Sequence, residues 1–151
     1  MATTGKWKGG TYAPGSPSTL LDTQIASLAS GSMSTASNAV DNDTNHDLYA
    51  DLELNLASFD PTAPGRCDVY ILCSIDGTNY PPATAAALRN QGSQLLCSFP
   101  LDDASALQRV VVRNVLLPNC KFKVCLDNQS NAALPSSATL KMITSNIDLN
   151  G

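Results

Sequence analysis

The chain has 151 residues, of which 43% are apolar and 15% are charged, and its formal net charge is −4. Soluble domains average about 25% charged residues, so much of this surface must be Ser, Thr, Asn and Ala. No basic cluster exceeds two residues, which argues against a nucleic-acid partner, because a phosphate-binding groove needs clustered Lys and Arg.

The sequence predicts neither a membrane span nor a signal peptide. No apolar run approaches the roughly 18 residues that a membrane helix requires, and the first residues lack an apolar core followed by a cleavage site. We therefore expect no membrane contact and folding in a reducing cytoplasm. The five cysteines agree with this, since their number is odd and none form a Cys-x-x-Cys pair. We expect them to be small core residues, with a disulfide or a metal site as the alternative.

Residues 1–46 are rich in Gly, Ser, Thr, Ala and Asn and are predicted to form a loosely ordered N-terminal arm. One stretch departs from this composition: Leu21, Ile25 and Leu28 recur at helical spacing, which predicts a short helix over 20–30, with an extended arm as the alternative. An arm that cannot bury its own apolar residues would lie on a partner.

A small cluster of aromatic and basic residues lies near the start of the arm. Lys6, Trp7, Lys8 and Tyr12 are too few for a nucleic-acid platform. A large aromatic side chain on an arm without a core is often buried by a partner. We therefore predict that these residues, together with Leu21, Ile25 and Leu28, bind a partner protein; the alternative for the cluster is a disordered tail.

A polar stretch, 41–47, is the candidate metal site. Asp41, Asp43, Asn45 and Asp47 stand at alternate positions, as in the first half of a calcium-binding loop. The pattern then departs twice from a calcium loop, because the sixth position is His46 rather than Gly and the twelfth is Leu52 rather than Glu. The alternative is a polar turn before the first strand.

From residue 47 onward the sequence has the alternation of half-buried β-strands. Residues 47–57 place Leu48, Ala50, Leu52, Leu54 and Leu56 on one face. Residues 66–75 do the same with Cys67, Val69, Ile71, Cys73 and Ile75. Further strands are predicted at 94–101, 106–117, 120–128 and 138–149, with a turn or two of helix at 83–92. Loops rich in Pro, Gly, Asn and Asp divide them.

This order of elements predicts one all-β domain over 47–151, an antiparallel, jelly-roll-like β-sandwich, preceded by the arm 1–46. The stretch 76–82 is predicted to be an exit from the second strand. Asp76-Gly77 allows a turn, and the double proline that follows prevents the chain from continuing the sheet.

The sequence predicts no catalytic residue and no cofactor. The single histidine, His46, stands in the polar stretch, and no serine lies in a Gly-x-Ser-x-Gly elbow. Of the acids, Asp51 and Glu53 share the polar face of a strand, while Asp102-Asp103 has the character of a turn. We therefore expect a protein that is not an enzyme.

Three segments resemble small virion proteins of tailed bacteriophages, of the capsid decoration or cement class. They are an Asn-x-Thr-x-x-Asp-Leu entry to the first strand at 42–48, Asp-Gly-Thr-Asn-Tyr at 76–80, and Leu-Pro-x-x-x-Phe-Lys-Val at 117–124. The resemblance extends over about residues 40–146.

The resemblance implies a β-sandwich or jelly roll, a homo-oligomer with a trimer favoured, and the major capsid protein as partner on the outer surface of the virion. Such proteins stabilise the shell, and no catalytic residues are implied. Two alternatives stay open: a tail, baseplate or fibre protein of the virion, and a carbohydrate-binding jelly roll in which Tyr49, Tyr70 or Tyr80 would stack on sugar.

Overall fold

A computed structural model describes residues 17–90, 94–103 and 106–145. This part of the chain contains eight β-strands and two short helices. The strands are β1 Ser18–Leu21, β2 Val40–Asp41, β3 Tyr49–Phe59, β4 Gly65–Ser74, β5 Leu95–Leu101, β6 Ala106–Leu116, β7 Lys121–Asn128 and β8 Thr139–Ser145. The helices are α1 Asn42–Asn45 and α2 Ala85–Arg89. The all-β class expected from the alternation is confirmed.

The strands form two antiparallel four-stranded sheets. One sheet, which we call sheet A, has the order β1-β8-β3-β6, and the other, sheet B, has the order β2-β7-β4-β5. The first strand thus pairs with the last, the second with the seventh, the third with the sixth and the fourth with the fifth. This is the connectivity of a jelly roll, in which a long antiparallel hairpin is wrapped into two sheets. The predicted β-sandwich is therefore confirmed, including its jelly-roll character.

The core lies between the two sheets and follows the alternation of their strands. On β3, the residues Ala50, Leu52, Leu54 and Leu56 are fully buried, while the residues between them are half-buried. Because successive side chains of a strand point to opposite faces, one row of β3 fills the core and the other faces outward. Phe99 and Phe122 complete the core from sheet B.

The described part of the N-terminal segment, 17–46, is built into the sandwich, which corrects its description as a loosely ordered arm. Its serines explain how. The amides of Ser34 and Ser37 donate to the carbonyls of Leu126 and Val124, both at 2.8 Å. In return, the amides of Leu126 and Val124 donate to the hydroxyls of the same two serines, at 2.9 and 3.0 Å. The serine hydroxyls thus accept hydrogen bonds from the β7 amides, as the carbonyls of a neighbouring strand would. A segment of low apolar content can therefore run alongside β7.

The helix expected over 20–30 is wrong. Residues Ser18–Leu21 are strand β1, paired with β8, and a series of turns follows it. Leu21 and Ile25 are fully buried, and Leu28 packs against the same core. Their spacing resembles that of a helix because Leu21 ends strand β1 and the turns after it bring Ile25 and Leu28 back to the core.

The outer face of sheet B is covered by a second layer, which the alternation did not predict. Tyr70 and Leu72, on the face of β4 away from the main core, are buried against Leu88 of α2 and Cys125 of β7. Loop residues from 33–36 and 80–83 complete this cluster. Because both faces of β4 are covered, it has a nearly continuous buried run instead of an alternating one. The predicted burial of one residue in its inward row is wrong: Ile75 lies beyond the strand and is fully exposed, at 104%.

Candidate functional site

Asp76 organises the turn in which β4 ends. One of its carboxylate oxygens accepts hydrogen bonds from the amides of Thr78 and Asn79, at 2.9 and 2.8 Å, and from the hydroxyl of Ser74, at 2.9 Å. The other oxygen accepts from the side-chain amide of Asn79, at 2.6 Å. These bonds, with that of the Asn79 amide the largest cause, hold the pKa of Asp76 well below its usual value. The carboxylate is occupied by its own turn, as expected of a strand exit.

The described residues do not gather the four candidate calcium ligands into a cluster of metal-ligating side chains. Asp41 caps α1 by accepting from the amide of Thr44 at 3.0 Å, and this bond is the main reason for its lowered pKa. Asp43 and Asn45 lie on the single turn of α1, and the amide of Asp47 donates to Asn42. Within residues 17–90, 94–103 and 106–145, no three His, Cys, Asp or Glu side chains are grouped as metal ligands. The alternative, a polar turn before the first long strand, describes the segment.

His46 ends this turn in a left-handed conformation, with φ of 54°. Its Nδ1 lies 2.7 Å from the side-chain oxygen of Asn119, in the turn between β6 and β7. The contact joins two loops at the same end of the sandwich.

The predicted partner-binding residues separate into two groups. Lys6, Trp7, Lys8 and Tyr12 lie outside the described residues. Leu21 and Ile25 are fully buried in the protein's own core, which makes them inaccessible to a partner and corrects their assignment, while Leu28 packs against the same core and is half-buried. Of the three tyrosines proposed to stack on sugar, Tyr70 is buried, the ring of Tyr80 is covered by Lys123, whose Nζ lies 4.6 Å from the ring centre, and Tyr49 of β3 is half-buried.

One end of the sandwich gathers several surface features, and we call it the arm end. Its loops are 42–48, 75–79 and 117–120, and the described chain starts and stops beside them, at Pro17 and Ser145. The strand register establishes this grouping, since Tyr49 of β3 is opposite both Leu116 and Ser145, and Lys121 of β7 is opposite both Asp41 and Ser74. The segments 1–16 and 146–151 therefore connect to the sandwich at the arm end.

Three large apolar side chains are exposed at the arm end. They are Leu48 at 36%, Ile75 at 104% and Leu116 at 63%. Leu48 and Leu116 are neighbours, because the amide of Leu117 donates to the carbonyl of Leu48 at 2.9 Å. A groove of about 290 Å³ lies beside Ile75 and is lined also by Asp43, Asp76, Asn119 and Lys121. Leu48 and Leu116 therefore form an exposed apolar pair, and Ile75 lies on another loop of the same end.

A pair of buried carboxylates on sheet B was not found by sequence reasoning. Asp68 of β4 and Asp127 of β7 are directly opposite in the register and are exposed by only 5% and 0%. Arg89 donates to both carboxylate oxygens of Asp127, each at 2.7 Å, and Arg66 donates to both oxygens of Asp68, at 3.1 and 2.9 Å. Ser98 also donates to Asp68, at 2.6 Å.

Each of these carboxylates is thus neutralised by its own arginine, which is the arrangement of a structural ion-pair cluster. The hydrogen bond to Asp127 is also the main cause of the raised pKa of Arg89. Burial, followed by the charges of the two aspartates, raises the pKa of the neighbouring Tyr70. The sequence offered one signal for this pair, the aspartate Asp68 between Cys67 and Val69. That signal was not specific, because an aspartate is also expected at this position if the outer face of the strand is solvated.

No protein-family model matches the chain, and no curated protein matches its sequence. Among the described residues, no helix has the length and apolar character needed to cross a bilayer.

Proposed function

We propose that this protein is a structural protein of a bacteriophage virion, a decoration or cement protein that binds the major capsid protein on the outer surface of the head. One observation carries the proposal: Leu48, Ile75 and Leu116 are exposed at the arm end, where segments 1–16 and 146–151 also join the sandwich. No catalytic role is proposed.

The exposed side chains support the proposal through the cost of leaving them in water. Burying a Leu or Ile side chain gains about 1.5–3 kcal/mol relative to leaving it exposed. Leu116 and Ile75 are the more exposed of the three, at 63% and 104%, so they have the most to gain from a partner. A capsid surface that covered them would gain several kcal/mol at this end, before the cost of association.

The outer segments extend the contact. The segment 1–16 contains Trp7, the only tryptophan of the chain, and continues from the sandwich at Pro17. Trp is among the residues most often found to dominate the binding energy of an interface. Segment 1–16 would therefore anchor the domain, and the sandwich would project from the shell or bridge subunits.

The jelly roll is compatible with this role, since viral capsid and lectin domains share the fold. A fold supports many functions, so the topology gives the proposal weight only together with the arm end. Against the carbohydrate-binding alternative, two of its three tyrosines are covered, since Tyr70 is buried and Tyr80 lies under Lys123. A homo-oligomer, with a trimer favoured, would multiply the contacts of one arm end and raise the avidity for the shell.

The test is binding of the purified full chain to expanded heads of the phage that encodes it. We expect binding that saturates and raises the temperature at which the heads break. Ile75→Asp and Leu116→Asp should each weaken binding roughly 10-fold or more, because each would place a charge in an apolar contact. Removal of residues 1–16 should weaken it further.

The matched control is Leu107→Asp. Leu107 has nearly the same exposure as Leu116, 62% against 63%, but lies at the opposite end of β6. Equal losses for Leu107→Asp and Leu116→Asp would refute the arm end as the docking face. Electron microscopy of virions gives the location independently: density on the tail, baseplate or fibre would replace the capsid assignment with one of those roles. Absence of the protein from virions would reject both.

A further inference from the structure

Two cysteines lie close together near the arm end. Cys73 is the penultimate residue of β4, and Cys120 immediately precedes β7. Cys73 is opposite Phe122 in the register, and Cys120, two positions before Phe122 in the turn that precedes β7, lies diagonal to it, close enough for a hydrogen bond between the two thiols. Both side chains are half-buried and pack against the main core from its rim.

This pair differs from the other three cysteines. Burial raises the pKa of Cys73 to about 12, and a hydrogen bond with the Cys120 thiol contributes to the same shift. The pKa values of Cys67, Cys97 and Cys125 are also raised to about 12, but by burial and by the nearby aspartates. Those three are buried, whereas Cys120 is half-buried and borders the groove beside Ile75.

We propose that Cys73 and Cys120 are a dithiol site that a small-molecule disulfide, such as oxidised glutathione, converts into an intramolecular disulfide. The thiolate of Cys120, beside the groove, attacks one sulfur of glutathione disulfide, forming a mixed disulfide and releasing one glutathione thiolate. The Cys73 thiolate then attacks the Cys120 sulfur and releases the second glutathione. Two protein thiols and one glutathione disulfide become one protein disulfide and two glutathione thiols, with two electrons passed to glutathione.

The bond would tie the end of β4 to the turn between β6 and β7. Disulfides stabilise mainly by restricting the unfolded chain, and the effect is larger for long closed loops. The loop between residues 73 and 120 is long, so we expect oxidation to raise the melting temperature by roughly 4–12 °C. This inference is independent of the proposed function, because it concerns only the chemistry of the two thiols.

The experiment uses the folded full chain, first reduced and then incubated with oxidised glutathione. The count of free thiols should fall by two, and the intact mass should fall by that of two hydrogen atoms. After alkylation and digestion, the peptide that contains Cys73 should be linked to the one that contains Cys120. Because a raised pKa limits the thiolate of Cys73, oxidation should be faster at pH 9 than at pH 7.

Single variants separate the two steps. In Cys73→Ser, Cys120 should keep one glutathionyl group, since no thiol remains to displace it. Cys97→Ser should oxidise at the wild-type rate, because Cys97 belongs to the buried set. Retention of all five thiols in the folded wild-type chain would overturn the proposal. So would a linked peptide pair that contains Cys67 and Cys97, which are also diagonal neighbours in the register.

Discussion

The ion pair between Arg89 and Asp127 is where a single substitution should affect the fold most clearly. Arg89, the last residue of α2, donates to both oxygens of Asp127 at 2.7 Å and to the carbonyl of Gly31 at 2.8 Å. Gln129 donates to Asp127 as well, at 2.7 Å. Arg89→Met keeps the length of the aliphatic stem but removes the guanidinium, and leaves the Asp127 carboxylate facing that of Asp68.

The expected cost follows from how the two partners are buried. The side chain of Asp127 is 1% exposed, and that of Arg89 is 39% exposed. Breaking a fully buried pair costs about 3–5 kcal/mol, because it leaves an uncompensated charge. Solvent reaches this arginine, so the cost should be lower, about 2–4 kcal/mol. For a chain of this length, such a loss corresponds to a melting temperature lower by roughly 4–16 °C.

A double-mutant cycle measures the interaction itself. Urea denaturation at pH 7 would compare the wild type, Arg89→Met, Asp127→Asn and the double variant. Since each single change removes the same contact, the double variant should be only slightly less stable than either, with a coupling of about 2 kcal/mol. The control is Arg109→Met: its partner Glu53 lies on the outer face of sheet A, and the Arg109 side chain is 62% exposed. Its loss should be about 0–1 kcal/mol.

Two results would contradict this reasoning. Additive losses, within about 0.5 kcal/mol, would mean that Arg89 and Asp127 do not stabilise each other. An Arg89→Met loss no larger than that of Arg109→Met would mean that the carboxylate pair reaches water once α2 has moved away. The hydrogen bond to Gly31 adds to the Arg89 single-variant loss, but the cycle cancels it.

Three further substitutions test separate parts of the fold. Gly65→Ala would place a Cβ 2.7 Å from the backbone Cα of Ser130, so we expect a loss of about 1–3 kcal/mol in urea denaturation. Ser37→Ala would leave the buried amide of Val124 without its hydroxyl acceptor; the expected loss is about 1–3 kcal/mol, and unchanged stability would show that water replaces the hydroxyl. Asp76→Asn tests pH dependence: a lowered folded pKa means that the carboxylate stabilises above its unfolded pKa of about 4 and loses this contribution as pH falls through the folded value. The wild type should therefore lose more stability than the variant between pH 5 and pH 2, as followed by melting temperature, and parallel curves would contradict the assignment.

The sandwich was predictable because its long strands carry the information locally. The alternation of β3 and the row of Phe122, Val124 and Leu126 on β7 arise from one buried face, and a period of two is visible in any window of a few residues. The Asp76 turn was predictable for a similar reason. Asp, Gly and Asn form such turns through bonds to residues two or three positions away, so no distant contact is needed to specify it.

Other features depended on partners distant in the chain. Leu21 and Ile25 were assigned to a helix because their spacing fits one, but what buries them is the far end of the sequence, through the pairing of β1 with β8. Asp68 and Asp127 are 59 positions apart and meet only through the register of β4 and β7. Arg89, which neutralises the second of them, lies on a loop helix between these strands. The residue pattern within one strand does not specify which distant residues will contact it.

Ile75 shows how the two kinds of information combine at the candidate site. The alternation through Val69, Ile71 and Cys73 continues in the sequence to Ile75, which therefore reads as one more core residue. The strand, however, ends at Ser74, and the Asp76 turn directs the chain away, so Ile75 passes the edge of the core into water. Ile75 continues the alternation of the core-facing residues but lies beyond the core, so an isolated domain does not gain the free energy of burying it. It is favourable in a domain that binds a partner at that end, which is why the Ile75→Asp variant is the sharpest single test of the arm end.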